Sequence, residues 1–307
     1  MTTQNDKLWR GVFAILCTPF HADGSLDLKS LAREVEFCVE GGAHGLVTTV
    51  NASESWTLSD AERMSVVEVT ARELAGTLPL VVGVSAGSSQ VSAELARHAE
   101  QSGADAVIAV PTASRLGATT DIVAYFADIA GAVNLPVFVQ NHEPPLGTRM
   151  TPELVSRIVT EVPGVNWIKE ETIPASHAIR AEISLSGDKL AGVMNGQAGR
   201  YLMEDYRAGA CGTMPACESV DVHVQIWRLL EESKPAEARD VFDRLLPLLN
   251  YEALSSGVYK TVLQWRGVIE NSYMRNVGGN PLGEYDLIEL RHIVDRMSDL
   301  FTGYPVK

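Results

Sequence analysis

The sequence is poor in cysteine and has no long apolar run, and each shortage excludes a class of protein. Its four cysteines, Cys17, Cys38, Cys211 and Cys217, are scattered through apolar or helical stretches without a Cys-x-x-Cys pair. That spacing predicts neither a disulfide framework nor a zinc site, so we expect core thiols. The longest apolar runs, such as residues 78–84, are far too short to span a bilayer.

Positive charge is also scarce in this chain. It has 25 lysines and arginines against 39 acidic residues, a net charge of −14, and no basic run. General repulsion therefore argues against nucleic acid or an anionic membrane as a partner. Residues 2–7 are polar and do not resemble a signal peptide, so the expected location is cytoplasmic.

Strand-like runs alternate with amphipathic helical ones along the 307 residues. Eight strands are predicted, at residues 12–17, 45–50, 80–84, 106–110, 137–140, 165–169, 190–194 and 211–214. Two helix starts are clear, Ser59 with Glu62 at capping-box spacing and Thr151 before Pro152. This order predicts an α/β fold, a (β/α)8 TIM barrel with a C-terminal helical extension, rather than a doubly wound sheet. We expect the barrel at residues 1–230 and the helical appendage, packed on it, at residues 231–307.

The sixth predicted strand ends abruptly in Lys169, followed by Glu170 and Glu171. An ammonium group taken out of water loses hydration, so its pKa tends to fall, and a neutral amine can attack a carbonyl. Side chains alternate along a strand, so Lys169 and Glu171 share a face if the strand stays extended, while Glu170 points away. The stretch predicts a nucleophile beside a proton carrier. A buried ion pair without chemistry is the alternative.

A TIM barrel carries its chemistry on the loops after the strands. The loop at residues 51–54, after the second strand, offers small side chains and backbone N–H groups to a carboxylate, although an ordinary turn has the same composition. His142 and Glu143 follow the fifth strand, where they either touch substrate hydroxyls or form a solvated pair. The histidines show no metal-ligand spacing, so we expect no metal.

Four stretches together resemble one known family. Residues 11–20 are similar to its first strand, residues 58–63 to the helix start after its second loop, residues 168–170 to the segment with its Schiff-base lysine, and residues 209–213 to its eighth strand. The family is that of the class I aldolases and lyases typified by dihydrodipicolinate synthase and N-acetylneuraminate lyase. The resemblance implies a Schiff base on Lys169, a 2-keto acid as substrate, no cofactor, and a homo-oligomer, tetramer or dimer.

Departures from the family pattern fall on its catalytic positions. Where usual members carry Gly-Thr-Thr-Gly-Glu, residues 50–54 read Val-Asn-Ala-Ser-Glu, and Gln140 replaces the tyrosine that serves as general acid/base. Pro145 falls near the arginine that binds the second substrate of dihydrodipicolinate synthase, so that biosynthesis is not expected. The chain looks more like the branch containing L-2-keto-3-deoxyarabonate dehydratase. That likeness implies a role in proton transfer for Glu171.

The sequence thus predicts a lyase that dehydrates a short 2-keto-3-deoxy sugar acid through Lys169 and Glu171. Dehydration is favoured over aldol cleavage, because cleavage requires a base at the C4 hydroxyl and Gln140 has no titratable proton. The expected substrate contacts are Asn51, Ala52, Ser53, Gln140, Asn141, Gly196 and Thr213. Two alternatives stay open: a retro-aldolase that uses Glu171 or a water held by Gln140, and a barrel that binds a keto acid without turnover.

Overall fold

The computed structural model describes residues 9–111, 119–145, 147–275 and 282–306. Its strands form one closed parallel barrel in chain order, β1 beside β2 and so on to β8, which pairs with β1. The strands are β1 Gly11–Ile15, β2 Gly45–Thr48, β3 Leu80–Gly83, β4 Ala106–Ala109, β5 Val137–His142, β6 Val165–Glu171, β7 Gly192–Asn195 and β8 Gly212–Thr213. The predicted TIM barrel is confirmed.

Helices follow the strands and surround the barrel. The described helices are α1 Leu28–Glu40, α2 Asp60–Leu74, α3 Ser89–Gln101, α4 Thr119–Ala130, α5 Pro152–Glu161, α6 Ala175–Ser186, α7 Leu202–Ala208, α8 Val220–Glu231, α9 Pro235–Glu252, α10 Gly257–Trp265 and α11 Glu284–Asp295. Ser59 and Glu62 form the capping box of α2, and Thr151 caps α5 ahead of Pro152. In the described ranges, no helix is long and apolar enough to cross a membrane.

The core has two layers, as expected for a sheet closed on itself and covered by helices. The larger one lies between the strands and the helices, and a smaller one fills the barrel with side chains such as Phe13, Phe138 and Trp167. Trp9, just before β1, stacks on Phe138 and on Trp167, with centroids 6.2 and 5.4 Å apart. These rings occupy the end of the barrel where the strands begin, which we call the lower barrel. The space left for a substrate is at the upper end, where the strands end.

A register shift between β5 and β6 decides which side chains face each other at that upper end. Val137 pairs with Val165, but Phe138 pairs with Trp167, so β6 contains one extra residue, Asn166. Beyond it, Gln140 pairs with Lys169. Both strands also run further than predicted, to His142 and Glu171.

The last three helices, α9 to α11, follow the barrel and pack against it. Arg266 after α10 is almost fully buried, and its guanidinium donates to both carboxylate oxygens of Asp221 in α8, at 3.0 and 2.7 Å. A C-terminal helical extension is therefore present. The division at residue 230 into two units stays a proposal.

Candidate active site

Lys169 and Glu171 lie at the carboxyl end of β6, inside the mouth of the barrel. Trp167, two residues earlier, packs in the inner core, and the alternation of the strand puts Lys169 and Glu171 on the same inner face. Lys169 Nζ is 3.4 Å from Glu171 Oε1, and both residues are buried. The pair thus occupies the end of the barrel where this fold carries its chemistry.

The carboxylate of Glu171 is held from several sides. Gln140 Nε2 donates to Oε2 at 2.5 Å, and the backbone N–H of Gln197 donates to Oε1 at 3.1 Å. The Gln197 side chain also donates to the carbonyl oxygen of Glu171. Gly196 leaves room for this arrangement, since a Cβ there would lie 2.1 Å from Glu171 Cγ. Lys169 therefore faces a carboxylate whose position is fixed.

Four polar side chains share the inner face at the ends of β5 and β6. Gln140 pairs in register with Lys169 and His142 with Glu171, so all four have the same parity. His142 is half-buried, and its Nδ1 lies 2.8 Å from the carbonyl oxygen of Glu143. The site therefore combines an amine, a carboxylate, an amide and an imidazole.

A sequence profile of the Dihydrodipicolinate synthetase family matches residues 8–295, nearly the whole chain. The chain belongs to this family. It is a lyase of the class I aldolase type that acts on keto acids through a lysine Schiff base and needs no cofactor. The family resemblance predicted from residues 11–20, 58–63, 168–170 and 209–213 is confirmed.

Individual family members agree with this assignment over most of their length. L-2-keto-3-deoxyarabonate dehydratase of Azospirillum brasilense is 31% identical over 283 residues, 90% of this chain and 91% of the relative. A 4-hydroxy-tetrahydrodipicolinate synthase of Agrobacterium fabrum is 30% identical over 261 residues, 83% and 86% of the two chains. The crystal structure of dihydrodipicolinate synthase from Rhodopseudomonas palustris superposes with a TM-score of 0.87 at 28% identity, covering 94% of this chain and 98% of that one.

The protonation of Glu171 follows from its neighbours. Burial acts to raise the pKa of this carboxyl, but Lys169, His142 and the donors Gln140 and Gln197 outweigh burial and hold the pKa below its ordinary value. Glu171 is therefore a carboxylate at neutral pH. An amine attacks a keto carbon only in its neutral form, so a carboxylate beside Lys169 can serve as the acceptor of its proton.

Two of the predicted substrate contacts lie on the other face of the barrel wall. Asn141 Nδ2 donates to Glu170 Oε2 at 2.8 Å, and both Asn141 and Glu170 are fully buried. Thr213 Oγ1 donates to Asn195 Oδ1 at 2.8 Å, and Asn195 in turn donates to Asp205 of α7. The side chains of Asn141 and Thr213 thus point toward the helices rather than toward Lys169. Adjacent strand residues face opposite sides, so Gln140 and Asn141 do not share a face.

The loop after β2 contains Asn51, Ala52 and Ser53 in one turn of 3-10 helix. Ser53 Oγ donates to the carbonyl oxygen of Leu16 at 2.6 Å, and Thr18 Oγ1 donates to the carbonyl oxygen of Ser53 at 2.6 Å. Ser53 therefore fastens the loop to the segment after β1. Asn51 and Ala52 are the first residues of this turn, so their N–H groups have no hydrogen-bond acceptor within it. These groups are available to a carboxylate.

Sequence reasoning missed two residues that bear on the site. Gln197 follows Gly196, which was predicted, and its position after a strand glycine is the one available signal. Lys260 in α10 is buried, and its ammonium donates to Glu54 Oε1 at the end of the β2 loop and to the carbonyl oxygen of Tyr273 at 3.0 Å. Lys260 and Glu54 lie 206 residues apart in sequence, so no local pattern reveals the contact.

One group of potential metal ligands and one open groove lie outside the pair formed by Lys169 and Glu171. Among the described residues, one group of potential ligands converges, Cys17, Glu34 and Cys217, and it includes neither Lys169 nor Glu171. An open groove of about 750 Å³ runs between α9 and α11, with Arg244 in its lining. Its lining residues belong to α9, to α11 and to the residue after α11, and none of them belongs to a strand end. The expectation that the chain binds no metal stays a prediction.

Proposed function

We propose that Lys169 forms the Schiff base, that Glu171 moves the protons, and that the reaction dehydrates a short 2-keto-3-deoxy sugar acid such as 2-keto-3-deoxyarabonate. The observation that carries the proposal is the hydrogen bond from Gln140 Nε2 to Glu171 Oε2, 2.5 Å long. At the position where family members place a catalytic tyrosine, this chain has an amide that cannot exchange a proton but can hold a carboxylate. Glu171 is thereby the proton carrier next to the amine.

The first step needs a neutral Lys169. Glu171 Oε1 lies 3.4 Å from Nζ and can accept the ammonium proton when the substrate replaces water around the pair. The amine then adds to C2 of the keto acid to give a carbinolamine. Its hydroxyl leaves as water with the proton that Glu171 had accepted, which returns Glu171 to a carboxylate and gives an iminium, an electron sink.

The elimination uses the same carboxyl group. Glu171 as a carboxylate removes a proton from C3, and the electron pair enters the iminium to form an enamine. The enamine then expels the C4 hydroxyl, which leaves as water with a proton from Glu171. Tautomerisation and hydrolysis of the iminium return free Lys169 and a 2-keto acid, so the net change is the loss of one water.

The substrate carboxylate has a place in the same mouth of the barrel. The N–H groups of Asn51 and Ala52 open the turn after β2, and small dipoles of this kind bind anions without a basic side chain. We keep Asn51, Ala52, Gln140 and Gly196 as substrate contacts. Ser53, Asn141 and Thr213 instead support the backbone around the site through the hydrogen bonds described above.

Similarity supports dehydration as the preferred reaction. The Azospirillum brasilense relative, 31% identical over 90% of this chain, is a dehydratase of 2-keto-3-deoxyarabonate. A retro-aldolase would need a base at the C4 hydroxyl. The residue that pairs with Lys169 at the end of β5 is Gln140, which has no titratable proton.

Product analysis tests the proposal. The full-length protein is incubated with 2-keto-3-deoxypentonate, and the products are identified by mass spectrometry. A semialdehyde that retains all five carbons supports dehydration. Pyruvate with a two-carbon aldehyde overturns it in favour of retro-aldol cleavage, and no turnover of any 2-keto-3-deoxy acid overturns it in favour of a binding protein.

Schiff-base trapping tests the role of Lys169 separately. Borohydride with pyruvate should add one reduced adduct on the peptide that contains Lys169, and Lys169→Ala should abolish it. Lys189→Ala is the matched control, because Lys189 is exposed on the turn after α6. Labelling that survives Lys169→Ala places the nucleophile elsewhere. The homo-oligomer, tetramer or dimer, and the cytoplasmic location stay predictions.

A further inference from the structure

Three potential metal ligands meet where the barrel closes on itself. Cys17 follows β1, Cys217 follows β8, and Glu34 projects from α1 against both. Their ligand atoms all lie within 4.8 Å of one another. Cys217 Sγ is 2.9 Å from Glu34 Oε1, which also accepts the backbone N–H of Cys17 at 2.8 Å. All three side chains are fully buried.

A fourth donor stands beside these three. Cys38 lies four residues after Glu34 on α1, one helical turn along the same face. It is fully buried, and its thiol contacts that of Cys217. Cys38 thus adjoins the group through Cys217, while the atoms that all lie within 4.8 Å of one another are those of Cys17, Glu34 and Cys217. We call these four residues the seam cluster.

One buried carboxyl oxygen in the seam cluster has no hydrogen-bond partner or cation beside it among the described residues. Glu34 Oε2 is buried and has no hydrogen-bond partner among the described atoms. The nearby ammonium of Lys260 donates instead to Glu54 and to the carbonyl oxygen of Tyr273. A buried carboxyl oxygen without a partner is costly, and a cation bound between Cys17, Glu34 and Cys217 would satisfy it.

We infer that Cys17, Glu34 and Cys217, with Cys38 as the fourth donor, bind a thiophilic divalent cation of the zinc type. Zinc bonds of about 2.3 Å to sulfur and about 2.0 Å to oxygen place tetrahedral ligands about 3.3–3.8 Å apart. The ligand atoms of Cys17, Glu34 and Cys217, all within 4.8 Å of one another, lie close to that spacing. On binding, each ligating thiol or carboxyl releases its proton to water and donates an electron pair to the metal.

Such a site is structural rather than catalytic. Four protein ligands leave no open position for substrate or water, and complete burial excludes both. The ion would join the ends of β1 and β8, the two strands that close the barrel, to α1. The ion would enter while the chain folds, because the folded cluster has no exposed ligand, and it would exchange slowly with chelators. The inference does not depend on the proposed reaction.

Metal analysis of the purified full-length chain tests the inference. The protein is produced in zinc-supplemented medium, freed of loose metal by gel filtration, and measured by inductively coupled plasma mass spectrometry. We expect one zinc ion per chain, and its loss in Cys17→Ser and in Cys217→Ser. Cys211→Ser is the matched control, since Cys211 is also buried but packs inside the lower barrel. Cobalt substitution should add thiolate-to-metal charge-transfer absorption in the near ultraviolet.

Glu34→Gln keeps the test decisive if the cysteine variants do not fold. Glutamine matches the size of the protonated carboxyl, so we expect a folded protein, verified by circular dichroism, with most of its zinc lost. Wild-type protein that binds no stoichiometric metal, even when refolded with zinc, overturns the inference. So does zinc retention in all three ligand variants, or a Cys17–Cys217 disulfide in the protein isolated without reductant.

Discussion

Two buried lysine–glutamate pairs stand near the mouth of this barrel, and only one of them resembles a reactive pair. Lys260 donates to Glu54 and to the carbonyl oxygen of Tyr273, and its ammonium lies 4.3 Å from the centroid of the Phe20 ring. Lys169 is 3.4 Å from Glu171, whose carboxylate is held mainly by two other groups. Both lysines are thus buried. The ammonium of Lys260 is surrounded by hydrogen-bond acceptors, whereas that of Lys169 faces Glu171.

The difference shows how one fold uses the same residue types in two ways. At Lys260 the partners surround the ammonium and hold it in place, although burial lowers the pKa of this amine. The contact joins the C-terminal helices to the β2 loop. At Lys169 the partners surround the carboxylate instead, so the position of Glu171 does not depend on the lysine alone. A buried lysine near an active site is therefore a candidate nucleophile when its counter-ion, rather than the lysine itself, carries the hydrogen bonds.

The first prediction tests the difference between the two pairs by replacing each lysine with methionine. We expect Lys169→Met to abolish turnover and borohydride trapping, while its unfolding free energy falls only slightly. Lys260→Met should lower the unfolding free energy by about 3–5 kcal/mol, because Glu54 and the carbonyl of Tyr273 lose a buried donor. Chemical denaturation measures both values. Equal losses of stability in the two variants would contradict the proposed difference.

The second prediction concerns the proton carrier of the reactive pair. Glu171→Gln should still form the iminium and trap with borohydride, but turnover should fall by about 10²–10⁴-fold, as is usual when a general acid/base is lost. Steady-state kinetics and trapping are measured on the same preparation. If Glu171 is only an ion-pair partner, the variant instead loses several kcal/mol of stability and the folded fraction turns over near the wild-type rate.

A third prediction tests whether the position of Glu171 matters apart from its charge. Gly196→Ala puts a Cβ where it would meet Glu171 Cγ at 2.1 Å, so the carboxylate must move. A displacement of about 1 Å at a catalytic group costs about 10²-fold in rate, and we expect a loss of that order in kcat. Gly87→Ala is the control, because no atom lies within 4 Å of its added Cβ. Equal kcat values for Gly196→Ala and Gly87→Ala would refute the positioning role.

The fourth prediction has the smallest expected effect and concerns the ion pair between Arg275 and Glu62. The Arg275 guanidinium, at 2.6 Å, lowers the pKa of Glu62 to about 2. A lowered pKa contributes stability above the ordinary value near 4.5, and that stability is lost as the pH falls toward 2. Because the pair is partly exposed, we expect a contribution on the order of 1 kcal/mol. Denaturation of wild type and Glu62→Gln at pH 7 and pH 3 measures it, and a difference that is as large at pH 3 as at pH 7 would contradict it.

Prediction from sequence worked where one strand supplied all the information. The barrel follows from alternating strand and helix patterns, and the shared face of Lys169 and Glu171 follows from side-chain alternation within β6. The same rule places adjacent strand residues on opposite faces, so it would have put either Gln140 or Asn141 on the outer face of the barrel. The alternation alone does not say which, because that depends on the extra residue Asn166 and the register it sets with β5.

Contacts between distant segments were out of reach of the sequence. Lys260 meets Glu54 across 206 residues, and Cys17 meets Cys217 only because β1 and β8 close the barrel. Cys-x-x-Cys spacing finds metal sites that one loop builds, and it misses a cluster built by barrel closure. The i, i+4 spacing of Glu34 and Cys38 on α1 was a visible but weak signal, since many surface helices carry similar pairs.

The ring stack in the lower barrel provides an optical probe of the chemistry. Trp9 and Trp167 overlap at 5.4 Å with an interplanar angle of 22°, close enough for their excited states to couple. Trp167 precedes Lys169 by two residues on the same face of β6, so any shift of the strand on iminium formation changes the ring geometry. We therefore expect the near-ultraviolet circular dichroism of this tryptophan pair to report iminium formation at Lys169 without an added label.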